Sequence, residues 1–421
     1  MPNSKVAKYS GWVAIGVAVI FAVMGFYGYA KYARFQFRVE ALKDAGELVS
    51  LSDIEIKVAP ENDILTPLTE FEDEIIAFGN ECPHDIISSG EFSTKEVELF
   101  ESLLEKHPGV FPAIDLASTR TEMSFAFAED AGFNFVDFIN VRSLLDWKAR
   151  VQRFHGKQEE AAKTAIQLLD LSEHCSSQAI LPLLLGRALE EAAINLVSEI
   201  IADEEESGKT ISRKLKDKIS KILEGRDPMQ GYRTAVKSQR AFVINFLLNP
   251  PEPDELAELY DSSSFLSIIS RVKGGGAVTM GNELLDQMEA LIEHSEEPLS
   301  SDLELLPSDN WVLRATGFHV GFAMAGFRSR MGELVVSQRA LRILLALSQD
   351  PESAERTEWS PEYLIGIGVP EEMTVDPFNE APMNIRRVDG RWQIYSVGEN
   401  KVDDSGERPS DVGLGLIEKE K

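Results

Sequence analysis

Cysteine is nearly missing from this chain of 421 residues: Cys82 and Cys175 are the only two. Two thiols cannot build a disulfide framework or a cysteine zinc site. Positive charge is also short. Forty-two Lys and Arg face 70 Asp and Glu, a formal charge of −28. A nucleic-acid partner needs a basic footprint to meet phosphate, so none is expected. The six histidines are scattered, and neither H-E-x-x-H nor a G-x-S-x-G elbow occurs. Gly208-Lys209-Thr210 ends like a phosphate-binding loop, but Asp203 stands where that loop needs its first glycine. Gly274-Gly275-Gly276 opens no dinucleotide fingerprint and reads as a turn. Cys82-Pro83-His84-Asp85 and His174-Cys175 are the only thiol–imidazole neighbours, and adjacent side chains seldom point at one ion. Catalytic residues are therefore not assigned, and the chain is not read as an enzyme.

What is present begins with one long apolar run. From Trp12 to Ala30 there is no charged residue. As a helix these residues span roughly 29 Å, the thickness of a bilayer's hydrocarbon core. Trp12, Tyr27, Tyr29 and Tyr32 lie near its ends, where amphipathic aromatics settle at the headgroups. The expectation is a single transmembrane helix, with the membrane held through residues 12–30. A cleaved signal peptide is the alternative, since Gly28 and Ala30 offer small residues at a cleavage site. Lys5 and Lys8 precede the run and Lys31, Arg34, Arg38 and Lys43 follow it, a count that does not favour the usual orientation.

The body reads as helical. A charged helix continues from Phe35 to about Ser50, and short amphipathic helices follow at Phe71–Phe78 and Glu96–Lys106. His107-Pro108-Gly109 stops the second of these. Residues 136–201 are strongly helical, with Gly156 as punctuation. Ala149, Gly156 and Ala161 resemble the small-residue positions of a tetratricopeptide hairpin, but the match misses the aromatic positions and a generic antiparallel helical hairpin is the preferred reading. Asp203-Glu204-Glu205-Glu206 reads as a solvated acidic turn. Further helices are expected at 214–223, 235–248, 282–294 and 315–348, with a break at Asn249-Pro250-Pro251. Cys82 and Cys175 have the option of pairing if the body lies outside the cytoplasm.

The last quarter changes character. After the apolar helix Leu334–Leu347 come Val369-Pro370 and Asp376-Pro377-Phe378. Met383–Val388 and Trp392–Val397 alternate apolar residues around Asp389-Gly390, a strong hairpin signal. A Gly- and Asp-rich segment then runs to Asp411-Val412. This series resembles the globular head of the major pseudopilin of type II secretion systems. Asp376-Pro377-Phe378-Asn379 matches that family's Asp-Pro-aromatic-Gly turn, with Asn for Gly. Tyr395-Ser396-Val397-Gly398 matches the hairpin end, and Asp411-Val412 the close of a calcium loop. The resemblance covers about the last 80 to 90 residues. It does not extend to a pilin N-terminus: counting from Gly11, the fifth position carries Gly16 where that family has Glu. The whole chain looks like large bacterial membrane-anchored proteins that carry such a head.

The resemblance implies a structural calcium ion in the loop Gly398–Val412. Hard cations need several oxygens, and Asp403, Asp404 and Asp411 with Asn400 are the expected ligands. A solvated acidic tail is the alternative. The expected fold class is mainly α: a single transmembrane helix, a body of helical hairpins, and a small α+β C-terminal module with a short β-hairpin. The expected domains are an anchor with its juxtamembrane helix over 1–45, a helical body over 46–250, a second helical lobe over 251–328 and the head-like module over 329–421. The expected function is a non-enzymatic cell-envelope interaction or scaffold protein with protein partners, its body extracytoplasmic. A membrane-tethered hydrolase with a dispersed site is the first alternative. A helical adaptor with a cytoplasmic body is the second.

Overall fold

A computed structural model describes residues 29–82, 93–125, 135–175, 179–208, 210–249, 275–301, 320–356 and 358–418. Among them the protein is mainly helical, with a small antiparallel sheet near the C-terminus. The helices of the first half are α1 (29–44), α2 (Leu65–Glu70), α3 (Glu72–Glu81), α4 (Thr94–Lys106), α5 (Val110–Ala117) and α6 (Phe135–Phe154). They continue as α7 (Gln158–Cys175), α8 (Ile180–Ser207), α9 (Arg213–Glu224), α10 (Pro228–Leu248), α11 (Gly275–Ser295), α12 (Val320–Leu347) and α13 (Pro361–Gly366). Among the described residues no helix is long and apolar enough to cross a membrane. The apolar run 12–30 lies outside the described residues except for its last two.

The described residues form two compact units. One gathers those of Met1–Ile54, Val236–His294 and Glu304–Met324. Its core is Phe35 and Val39 of α1 against Ile244 of α10 and Leu285 of α11. Arg38 of α1 is tied to α11, 2.8 Å from Asp286 and 2.9 Å from Glu289. After α1, Glu47 receives Arg240 at 2.7 Å and Lys237 at 3.2 Å. Burial pushes the Glu47 carboxyl up, but these two donors outweigh it and leave its pKa lowered.

The other unit gathers the described residues of Glu55–Ala235, Ser295–Leu303 and Ala325–Lys421. Its helical part is built on α6, where Phe138, Val141, Leu144, Leu145 and Ala149 recur at helical spacing and are all fully buried. Gly156 turns the chain between α6 and α7 in the left-handed region at φ 69°, where a residue without Cβ has no penalty. Ala161, Ala162 and Ala165 of α7 are buried with no exposed surface, so small side chains line this hairpin. Aromatics seal the other face: the Phe100 ring of α4 lies 5.6 Å from Phe78 and 5.7 Å from Trp147. Glu96 starts α4 by accepting from the Ser93 amide, and His107 ends it at the expected position.

The acidic run is not a solvated turn. Helix α8 runs on through Ser207, carrying Asp203, Glu204 and Glu205 as helical residues. Asp203 pairs with Arg153 at 2.8 Å, and Glu204 is buried against Lys216 at 2.7 Å. The charges that neutralise these acids arrive from distant segments, which a local reading of composition cannot supply. Similarly, Gly275 opens α11 and does not lie in a turn.

The sheet has the order β1-β2-β4: β1 (Asn384–Val388), β2 (Arg391–Ser396) and β4 (Val412–Leu414), all antiparallel. A parallel pair, β3 (Glu407–Arg408) with β5 (Ile417–Glu418), lies beyond it. The hairpin forms where expected. Val388 pairs with Arg391, and Asp389 and Gly390 take φ 50° and 82°, as a two-residue primed turn requires.

Candidate functional site

The three head-like segments are separate in sequence and meet around two buried carboxylates. Asp376 is fully buried. Its Oδ1 accepts from the Phe378 amide at 2.9 Å and the Ser396 hydroxyl at 2.6 Å, and its Oδ2 accepts from the Val397 amide at 3.0 Å. The Asp-Pro-Phe turn is thereby stitched to the end of β2. Phe378 follows into the core against α12 at Gly332. Arg339 of α12 donates to the Val375 carbonyl beside it. Burial lowers the Arg339 pKa, opposed by the charges of Asp376 and Glu372.

Asp411 is the second carboxylate. It is 2% exposed and closes the loop by accepting from the Gly406 amide at 2.6 Å and the Asp404 amide at 3.3 Å. Gly398, at φ 69°, passes so close to the Ser410 carbonyl that any Cβ would collide with it. The glycine of Tyr395-Ser396-Val397-Gly398 is thus required where the two ends of the loop approach.

The expected calcium ligands share this loop, and each is engaged within it. Asp403 accepts from the Ser405 amide at 2.9 Å and the Tyr395 hydroxyl at 3.1 Å. The Asn400 side-chain amide donates to Asp404 at 2.9 Å, while its oxygen accepts from Val402. Among the described residues, no group of three or more His, Cys, Asp or Glu is arranged to hold a metal ion. Burial raises the Asp411 pKa, the charges of Asp403 and Asp404 raise it further, and the two amides oppose them. The loop therefore crowds like charges and offsets them with its own N–H groups. Its calcium expectation is tested by melting the full chain in calcium and in chelator. A rise in calcium that Asp403→Ala with Asp411→Ala abolishes would support it. Equal melting temperatures would leave a loop closed by amides alone.

Other candidates from the sequence resolve simply. Cys82 and Cys175 are both free and buried. Desolvation pushes the Cys82 thiol up to about 12, helped by the Glu81 charge, and pushes Cys175 up as well, so neither is a thiolate near neutral pH. His84 and Asp85 lie outside the described residues. A cleft of about 320 Å³ beside α8 contains Arg187 and Arg226. Arg187 is paired with Glu191 and Glu333, and Arg226 with Glu190.

Sequence reasoning missed β4 and the tie between α8 and the hairpin. Glu205 accepts from the Trp392 indole at 2.9 Å and from Arg387 at 3.1 Å. No local signal marks that tie, because its ends are 187 residues apart. No protein-family model, curated protein or solved structure matches the chain.

Proposed function

We propose that this protein is a non-enzymatic, membrane-anchored interaction or scaffold protein of the cell envelope, related to secretion machinery, with its body outside the cytoplasm. The observation that carries this reading is the interlock at Asp376. Its carboxylate joins two segments that resemble a pseudopilin head, and the third segment closes beside them through Asp411. The acids of this module serve as acceptors for backbone and hydroxyl donors, which is structural chemistry. Membrane attachment rests on the apolar run 12–30, which leads directly into α1. Tyr29 and Phe37 of α1 are 70% and 71% exposed, suiting a helix that leaves a membrane surface.

The test is purification of the native membrane complex and identification of the chains that come with it. Secretion-apparatus subunits would support the proposal. A lone chain with hydrolytic activity would overturn it, and cytoplasmic partners would favour a helical adaptor. The anchor has its own expected result: Val17→Asp with Val19→Asp releases the protein from membranes in an alkaline wash. Each charge near the bilayer centre costs about 2.5–3.5 kcal/mol on insertion scales. A mature chain beginning at Lys31 would show a cleaved signal peptide instead.

A further inference from the structure

A second cleft, of about 460 Å³, is lined by four arginines of a chain whose formal charge is −28: Arg142, Arg150, Arg391 and Arg408. Arg142, Asp146 and Arg150 stand four residues apart on one face of α6, and α8 supplies the facing wall through Glu199 and Glu205. Small residues, among them Ala202 and Gly413, leave the space between.

Most of the neighbouring charge is already matched. Arg150 pairs with Asp146 at 2.9 Å and with Glu199 at 3.5 Å. Glu205 is taken by Trp392 and Arg387. Arg142 differs: it has no ion pair among the described residues, and its Nε is buried with no hydrogen-bond partner. A buried N–H without an acceptor costs free energy, and the half-buried guanidinium that carries it opens on the cleft. The group is planar and always charged, and it matches two oxygens of a carboxylate or phosphate at once. The cleft volume falls in the range of small-molecule sites.

We propose that this cleft binds a small anion that presents a carboxylate or phosphate group to Arg142. The acids around Arg150 hold that residue in place and leave Arg142 to receive the ligand. The four arginines come from positions 142 to 408, so the only trace in sequence is the spacing of Arg142, Asp146 and Arg150 on one helix face.

The experiment is titration calorimetry of the purified full chain with inorganic phosphate, pyrophosphate and citrate. At least one should bind saturably and raise the melting temperature. Arg142→Gln should melt at the same temperature as the parent or higher, and bind at least tenfold more weakly. Arg142→Lys, which keeps the charge and loses the fork, should fall between the two. Ala202→Leu, which narrows the cleft and leaves every charge in place, should also weaken binding; it serves as the second test if Arg142→Gln fails to fold. Phosphate binding without citrate binding would identify the phosphate class, and the reverse the carboxylate class. Binding by none of the three anions, or unchanged binding in Arg142→Gln and Ala202→Leu, would overturn the proposal.

Discussion

Replacing Asp376 with alanine is expected to lower the free energy of unfolding by about 3–5 kcal/mol. The side chain is fully buried, and its two oxygens accept from the Phe378 amide, the Ser396 hydroxyl and the Val397 amide. Truncation leaves three donors without partners in a space closed to water, each costing about 1–3 kcal/mol, partly relieved by local relaxation. Asp376→Asn keeps the shape but turns an N–H₂ toward donors on one side, so about half that loss is expected. Urea unfolding followed by circular dichroism reads the loss in the full chain. A loss below about 1 kcal/mol for the alanine variant would show that the turn and hairpin hold together without this carboxylate.

The second large effect belongs to Glu204 and Lys216. Both are buried, at 7% and 4% exposure, and their charged atoms lie 2.7 Å apart. Lys216 also donates to the Ser348 hydroxyl at 3.1 Å, and Glu204 accepts from the Ile211 amide. Lys216→Met or Glu204→Leu alone strands the opposite charge away from water, with an expected loss of about 3–5 kcal/mol. The double variant removes both charges and should cost far less, about 1 kcal/mol for the Ile211 amide that loses its acceptor. A double-mutant cycle on thermal or urea unfolding therefore gives strong non-additivity. Additive losses would mean that water reaches the pair and screens it.

Much of the fold is legible in the residues. The helical stretch 136–201, the stop at His107-Pro108-Gly109 and the break at Gly156 follow from apolar spacing and turn chemistry. Asp389-Gly390 announces the β1–β2 hairpin, because few other dipeptides tolerate two successive positive φ values. Strand β4 leaves no such mark: Val412-Gly413-Leu414 is too short to show alternation, and it exists because Ser396, Tyr395 and Ile394 offer it an edge. The candidate ligands of the acidic loop are visible as a cluster of Asp and Asn. Their hydrogen bonds to Ser405, Gly406 and Tyr395 are not, since they depend on how the loop folds back.

Local order in this chain comes from steric limits on the backbone and from apolar periodicity, both of which act over a few neighbouring residues and so can be read in a line. The placement of charge follows a different rule. Acids and bases are tolerated inside when their partners reach them, and those partners are remote: Arg153 meets Asp203 across 50 residues, Lys216 meets Ser348 across 132, and Trp392 meets Glu205 across 187. The acidic end of α8 is paired for that reason, while Arg142, equally unremarkable in the sequence, lines a cleft with no ion pair among the described residues. Desolvation and Coulomb energy depend on distance in space, and only the folded chain sets that distance.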